Sequence, residues 1–201
     1  MTARFLLAIF AITIISTGAA WKPEVAPWDS MPVAGATSQP IGHFEFCKRY
    51  QKECQPNAAD RARLKLTEEI WNSLVEVNQV VNTIPAIEDI EIYGVEEFWN
   101  YPTTAADCED FALLKRKLLM RRGIAVSNLL ITVVLQPDGS GHAVLTVRSQ
   151  MGDFILDNLR GEIRNWSETE YTYLKRQDSR NPGKWVKIRD GRDTTAVSGI
   201  R

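Results

Sequence analysis

The run "IAVSNLLITVVLQPDGSGHAVLTVRSQMGDFILDNL", Ile124 to Leu159, decides the fold class. Val, Ile and Leu dominate three short stretches, and the turn-forming segments "PDGSG" and "RSQMGD" separate them. The run therefore reads as three antiparallel strands joined by tight turns. His142 opens the middle strand just after Gly141, and Asp157 closes the next one just before Asn158. In a hairpin closed by a two-residue turn, opposed residue numbers sum to an odd value, so residues 142 and 157 leave the sheet on the same face. A single bulge would break that parity.

Immediately upstream, "AADCEDFALLKRKLLMRRG", Ala105 to Gly123, reads as a helix. Thr103, Thr104 or Asp107 can cap it, acidic Asp107, Glu109 and Asp110 fill its first turn, basic Lys115 to Arg122 load its end, and Gly123 stops it. Phe111, Leu114, Leu118 and Leu119 share the side of Cys108, which turns the thiol inward at the positive end of the helix dipole. That position suits an inert core cysteine, and it equally suits a thiol of lowered pKa. His142 and Asp157 tip the balance. A thiol at a helix start, an imidazole on one strand and a carboxylate on its neighbour form the arrangement of a papain-like nucleophilic site. In it His142 takes the Cys108 proton, Asp157 fixes the imidazole tautomer, and backbone N–H groups at the helix start receive the oxyanion. The plain alternatives are a structural histidine and a turn-capping aspartate.

Farther out, "NAADRARLKLTEEIWNSLVEVNQVVNTIP" repeats apolar side chains at Leu66, Ile70, Leu74, Val77 and Val81, one face of a helix that Pro85 ends. The stretch from Ala86 to Asp107 reads as irregular, its aromatic residues Tyr93, Phe98, Trp99 and Tyr101 serving the core or walling a cleft. Residues 21–42, rich in Pro, Gly and small residues, read as an extended surface arm. The segment 43–188 forms the folded domain, its last part adding strands with a turn at "RNPGK", and residues 189–201 read as a flexible tail.

The opening "MTARFLLAIFAITIISTGAAW" has a basic Arg4, an apolar run from Phe5 to Ile15, then Gly18, Ala19 and Ala20. Residues 1–20 thus read as a cleaved signal peptide, too short in its apolar part to span a bilayer. The expected location is outside the cytoplasm, in an oxidising compartment. There Cys47 and Cys54, in "FCKRYQKEC", can close a small loop and leave Cys108 unpaired. A zinc site on that pair would need further soft ligands, and His43 is the one candidate nearby. With 201 residues, 44% of them apolar, the chain can bury one sizeable core. A net charge of -1 and the lack of any long Lys/Arg run give no support to a nucleic-acid partner, and none is expected.

"YPTTAADCEDFALLKRKLLMRRG", "GHAVLTV" and "FILDNL", with "FCKRYQKEC", "VNQVVNTI" and "YGVEEFWNYP" upstream, resemble the bacterial transglutaminase-like cysteine proteinases, which include LapG-type periplasmic proteases. The resemblance spans about Trp28 to Val186. It implies an α+β, transglutaminase-like and papain-like fold, with N-terminal helices packed on an antiparallel sheet, and a catalytic set of Cys108, His142 and Asp157. It also implies calcium held by Asp107 and Glu109, and no organic cofactor. The implied substrate is a large surface adhesin and the implied regulator an inner-membrane receptor, for a chain acting as a monomer. Calcium has a physical rationale too. Carboxylates flanking a thiol raise its pKa, and a hard cation on oxygen ligands removes that penalty. The same carboxylates stabilise a first helical turn with no metal at all. Three other readings use the same residues: a transglutaminase-type acyl transferase, a cell-wall amidase, and a calcium-dependent binding module without catalysis.

Overall fold

The computed structural model describes residues 30–56 and 62–190. The signal peptide (1–20), residues 21–29 of the arm and residues 191–201 of the tail lie outside the described residues. Seven strands form one antiparallel sheet in the order β1-β7-β6-β2-β3-β4-β5. They are β1 (Val33–Thr37), β2 (Leu129–Leu135), β3 (Gly141–Ser149), β4 (Gly152–Leu156), β5 (Arg164–Asn165), β6 (Thr172–Asp178) and β7 (Asn181–Ile188). Four helices accompany the sheet: α1 (Ile41–Arg49), α2 (Glu68–Val81), α3 (Asp89–Tyr93) and α4 (Cys108–Arg121). The fold is α+β, as expected. No described helix is long and apolar enough to cross a membrane.

β2 is covered on both faces, which explains why its sequence is a nearly unbroken Val/Ile/Leu run rather than an alternation. On one face Ile131, Leu145 and Leu156 meet Leu74 and Val77 of α2 and Phe111 and Leu119 of α4. Their alternates Val134, Val144 and Ile155 pack with Trp166, Tyr171 and Tyr173 on the other. The β3–β4 hairpin closes with Ser149 opposite Gly152, a two-residue turn through Gln150 and Met151. The odd-sum parity therefore holds, and no bulge interrupts this pair.

Four sequence expectations are corrected. The arm is only partly an arm: residues 33–37 are an edge strand paired with β7, and Ile41 already begins a helix. α2 starts later than its apolar spacing suggested, because Thr67 caps it by accepting the Ile70 N–H, leaving Leu66 outside the helix. The stretch before α4 is not wholly irregular, since it contains the single turn and a half of α3. The last turn lies at Ser179–Arg180, where the Asp178 carboxylate accepts the Arg180 N–H at 2.7 Å, and not at "RNPGK". Pro182 and Gly183 belong to β7 instead. Gly183 is required there because the Cys54 carbonyl approaches so closely that a Cβ would lie 2.6 Å from it.

Cys47 and Cys54 are joined as a disulfide, which consumes both sulfurs of the zinc alternative and leaves Cys108 the free thiol. His43 is fully buried beside this bridge. The Trp185 indole donates to its Nδ1 at 3.2 Å, and the Gln177 amide nitrogen lies 3.0 Å from its Nε2. Burial first, and then the positive charge of Arg116, lowers its pKa to about 3. His43 is a neutral core histidine.

Candidate active site

α4 begins at Cys108 because Asp107 caps it, holding extended backbone geometry and accepting the Cys108 N–H on Oδ1 at 2.6 Å. Of the three possible caps, Asp107 is the one used. Its bond engages the Cys108 N–H, one of the N–H groups at the helix start. The thiol points into a cleft of about 620 Å³ whose walls include Trp99, Asp89, Glu109, His142 and Lys175.

The sheet contributes Val133 of β2, Gly141, His142 and Ala143 of β3 and Lys175 of β6 to the cleft wall, and β4 runs beside β3 behind His142. Their register, continued past Leu145–Leu156, puts Asp157 beside Val144, one same-face step from His142. The two side chains meet: His142 Nε2 donates to Asp157 Oδ1 at 2.9 Å, leaving Nδ1 as the proton-accepting ring nitrogen. Asp157 is also the turn-capping residue of the plain reading, because the same Oδ1 accepts the Leu159 N–H at 3.0 Å. Burial pushes its carboxyl up. The hydrogen bond and charge of His142, with a further bond from Tyr171, outweigh that and hold it below the ordinary carboxylate range.

Cys108 and His142 share the cleft, but the thiol's hydrogen bond goes to Glu109 Oε2 at 3.4 Å. Burial, then Glu109, then Asp107 push the thiol well above its usual pKa. The helix-dipole effect expected from sequence is thus overridden by burial and by the carboxylates beside the thiol. Those carboxylates are themselves strained electrostatically: burial and Asp107 raise Glu109 to about 10, and burial raises Asp110 to about 7. Asp89, from α3, joins them through its backbone N–H, which donates to Asp107 Oδ2 at 3.2 Å. Buried oxygens of Asp89, Glu109 and Asp110 have no hydrogen-bond partner among the described residues. Such orphaned acceptors are expensive unless a cation or water satisfies them. One carboxylate oxygen each from Asp107 and Glu109, with the Cys108 sulfur, lie within 4.8 Å of one another.

Three residues of the site were not picked out by sequence reasoning. Tyr171 donates its hydroxyl to Asp157 Oδ2 at 2.5 Å and packs its ring 5.6 Å from the His142 ring. Asn82, just past α2, donates to the Asp157 carbonyl at 2.8 Å. Asp89 completes the acidic group. None carried a signal: each stands on a separate element, and only the folded topology brings them to Asp157 or Asp107. Of the aromatic residues flagged before α4, Trp99 serves both roles, buried in the core and walling the cleft. Tyr101 packs on Phe46 and Tyr50.

Residues 33–193 match the family described as bacterial transglutaminase-like cysteine proteinase, BTLCP. Among solved structures, calcium-bound LapG of Legionella pneumophila is similar, at 25% identity and a TM-score of 0.51 over 58% of this chain and 68% of that one. Another Legionella pneumophila LapG structure aligns at 23% identity and a TM-score of 0.50, over 74% of this chain and 81% of that one. An EGTA-treated form aligns at 21% and 0.51, over 80% and 87% respectively. The latter two speak to the fold alone. No curated protein sequence matches the chain.

Proposed function

The chain belongs to the bacterial transglutaminase-like cysteine proteinases and is a cysteine peptidase, and from that premise we propose that Cys108, His142 and Asp157 hydrolyse a peptide bond in a calcium-dependent reaction. The observation that carries this reading is the 2.9 Å bond between His142 Nε2 and Asp157 Oδ1 at the wall of the cleft that holds Cys108. Asp157 fixes the imidazole with Nδ1 free. Nδ1 takes the Cys108 proton, and the sulfur attacks the scissile carbonyl carbon. The imidazolium returns its proton to the leaving amine, giving an acyl-thioester, and the neutral imidazole then activates a water that releases the new carboxylate. Tyr171 and the Leu159 N–H keep Asp157 ionised through the cycle.

Asp107, Glu109 and Asp89, with Asp110 behind them, are the residues that would hold calcium. The orphaned buried oxygens suit an oxygen-loving cation, and the LapG relative at 25% identity is calcium-bound. A bound calcium ion would supply the positive charge that lets these carboxylates stay ionised beside a thiolate. The remaining parts of the reading are an exported, periplasmic protein whose substrate is a large surface adhesin and whose restraint is an inner-membrane receptor. These rest on the sequence resemblance and on the leader-like residues 1–20. The test is to incubate the protein, with calcium or with chelator, against extracellular proteins of its source and to read new termini by mass spectrometry. Calcium-dependent new termini that vanish with Cys108→Ala are expected. Amine-linked products without new termini would contradict hydrolysis.

A further inference from the structure

At the far end of β3 from His142, a second cavity of about 350 Å³ opens among Arg63, Arg148, Arg176, Arg180 and Asp178. Arg148 lies six steps along the strand from His142, roughly 20 Å at about 3.3 Å per residue, so this cavity is distinct from the cleft. Two carboxylates serve its four guanidinium groups. Asp153 is fully buried and spent: Oδ1 takes Arg63 Nη1 at 2.7 Å, while Oδ2 takes Arg176 Nη1 at 3.1 Å and the Met31 N–H at 3.0 Å. Asp178 pairs with Arg180 at 3.2 Å. Arg148 makes no direct ion pair among the described residues: it donates Nη1 to the Ser127 carbonyl at 2.9 Å and meets Asp153 and Asp178 only at longer range. Arg148 Nε and Arg176 Nε are buried without acceptors.

Among the described residues, four guanidinium groups therefore face two carboxylates around a void, a surplus of two positive charges. Like charges at this spacing repel, and a fold gains nothing from them unless something negative arrives. Burial lowers Arg148 to about 10, the neighbouring Arg176 and Arg63 adding to the shift and Asp153 and Asp178 opposing it. Guanidinium forks match the oxygens of a phosphate group two at a time. The cavity is at the small end of ligand pockets, which run from about 300 Å³. Arg176 forms its floor at 7% side-chain exposure, and Arg180 its mouth at 65%.

We propose that this cavity binds a phosphate dianion, free or as a small phosphomonoester, whose charge of about two matches the surplus. The test is titration calorimetry on the full chain at constant ionic strength, with inorganic phosphate, glycerol 3-phosphate and succinate as separate ligands. Saturable binding of either phosphate is expected, the tighter of the two identifying the source. Arg148→Gln and Arg180→Gln should each weaken it at least tenfold, and Arg160→Gln, elsewhere on the surface, should not. Arg180 is exposed on a turn, so its variant keeps the test alive should Arg148→Gln fail to fold. Absence of saturable phosphate binding, equal affinity in the Arg180→Gln variant, or a preference for succinate would overturn the proposal.

Discussion

Tyr171 shows what a single hydroxyl does for this site. Its bond to Asp157 Oδ2 and its ring against His142 hold a carboxylate and an imidazole in one geometry. Tyr171→Phe keeps the ring and removes the bond, worth about 1.5–3 kcal/mol for a hydrogen bond to a charged group. We expect kcat to fall roughly ten- to hundredfold with KM nearly unchanged, measured on the cleaved substrate. A purely structural role would instead lower thermal stability and leave kcat intact. His43 gives a prediction of another kind. The unfolded chain protonates it near 6.5 and the folded protein only near 3, so its share of stability is complete above 6.5 and drains as pH falls toward 3. The slope is about 1.4 kcal/mol per pH unit. With two histidines in the chain, NMR should show His43 flat from about pH 8 to 5; a titration midpoint near 6 would contradict its neutral burial. At this scale Cys108, His142 and Asp157 were legible in sequence, because helix-start signals and strand parity are local rules. Tyr171 and Asp89 were not, because their roles arise from contacts between distant segments.

The elements that place the site were readable where periodicity and caps are strong. α4 begins and ends on its acidic start and Gly123, and β2, β3 and β4 fall where the Val/Ile/Leu runs lie. Misreadings came from residues whose usual meaning is overridden by neighbours. "NPG" signals a turn in isolation, yet Asp178 makes the turn three residues earlier, and the Cys54 carbonyl claims the space at Gly183. Leu66 fits the apolar spacing of α2, yet Thr67 caps the helix after it. The Cys47–Cys54 bridge ties α1 to the 3₁₀ turn at Gln51–Cys54, which contacts β7 near Gly183. By loop-closure entropy, a bridge of this short span contributes about 2–3 kcal/mol. Reduction should lower the stability measured by urea denaturation by that amount and leave Cys108 as reactive as before. An unchanged midpoint would show that the packing around His43 holds α1 without the bridge.

Across the whole molecule, helices packed on one antiparallel sheet bring the carboxylates of α3 and of the start of α4, with a thiol, to one cleft, and the balance of charge there governs what the thiol does. Burial and carboxylates hold the Cys108 proton on, and a cation on Asp89, Asp107 and Glu109 would reverse that. Calcium at about a hundredfold excess over its Kd should add about 2.7 kcal/mol of stability. For a domain of this size that is a rise of roughly 5–10 °C in Tm. Asp89→Asn should reduce the rise; a Tm indifferent to calcium and chelator would remove the acidic group as a metal site. The central claim, that Cys108 is a nucleophile activated by His142 and released by calcium, is tested most directly by the rate of iodoacetamide labelling at Cys108, read by intact mass near neutral pH. The account predicts one adduct formed rapidly in calcium, and at least tenfold more slowly with chelator or in His142→Ala. A rate unaffected by both, rising only as an ordinary thiol ionises near about 8.5, would contradict it.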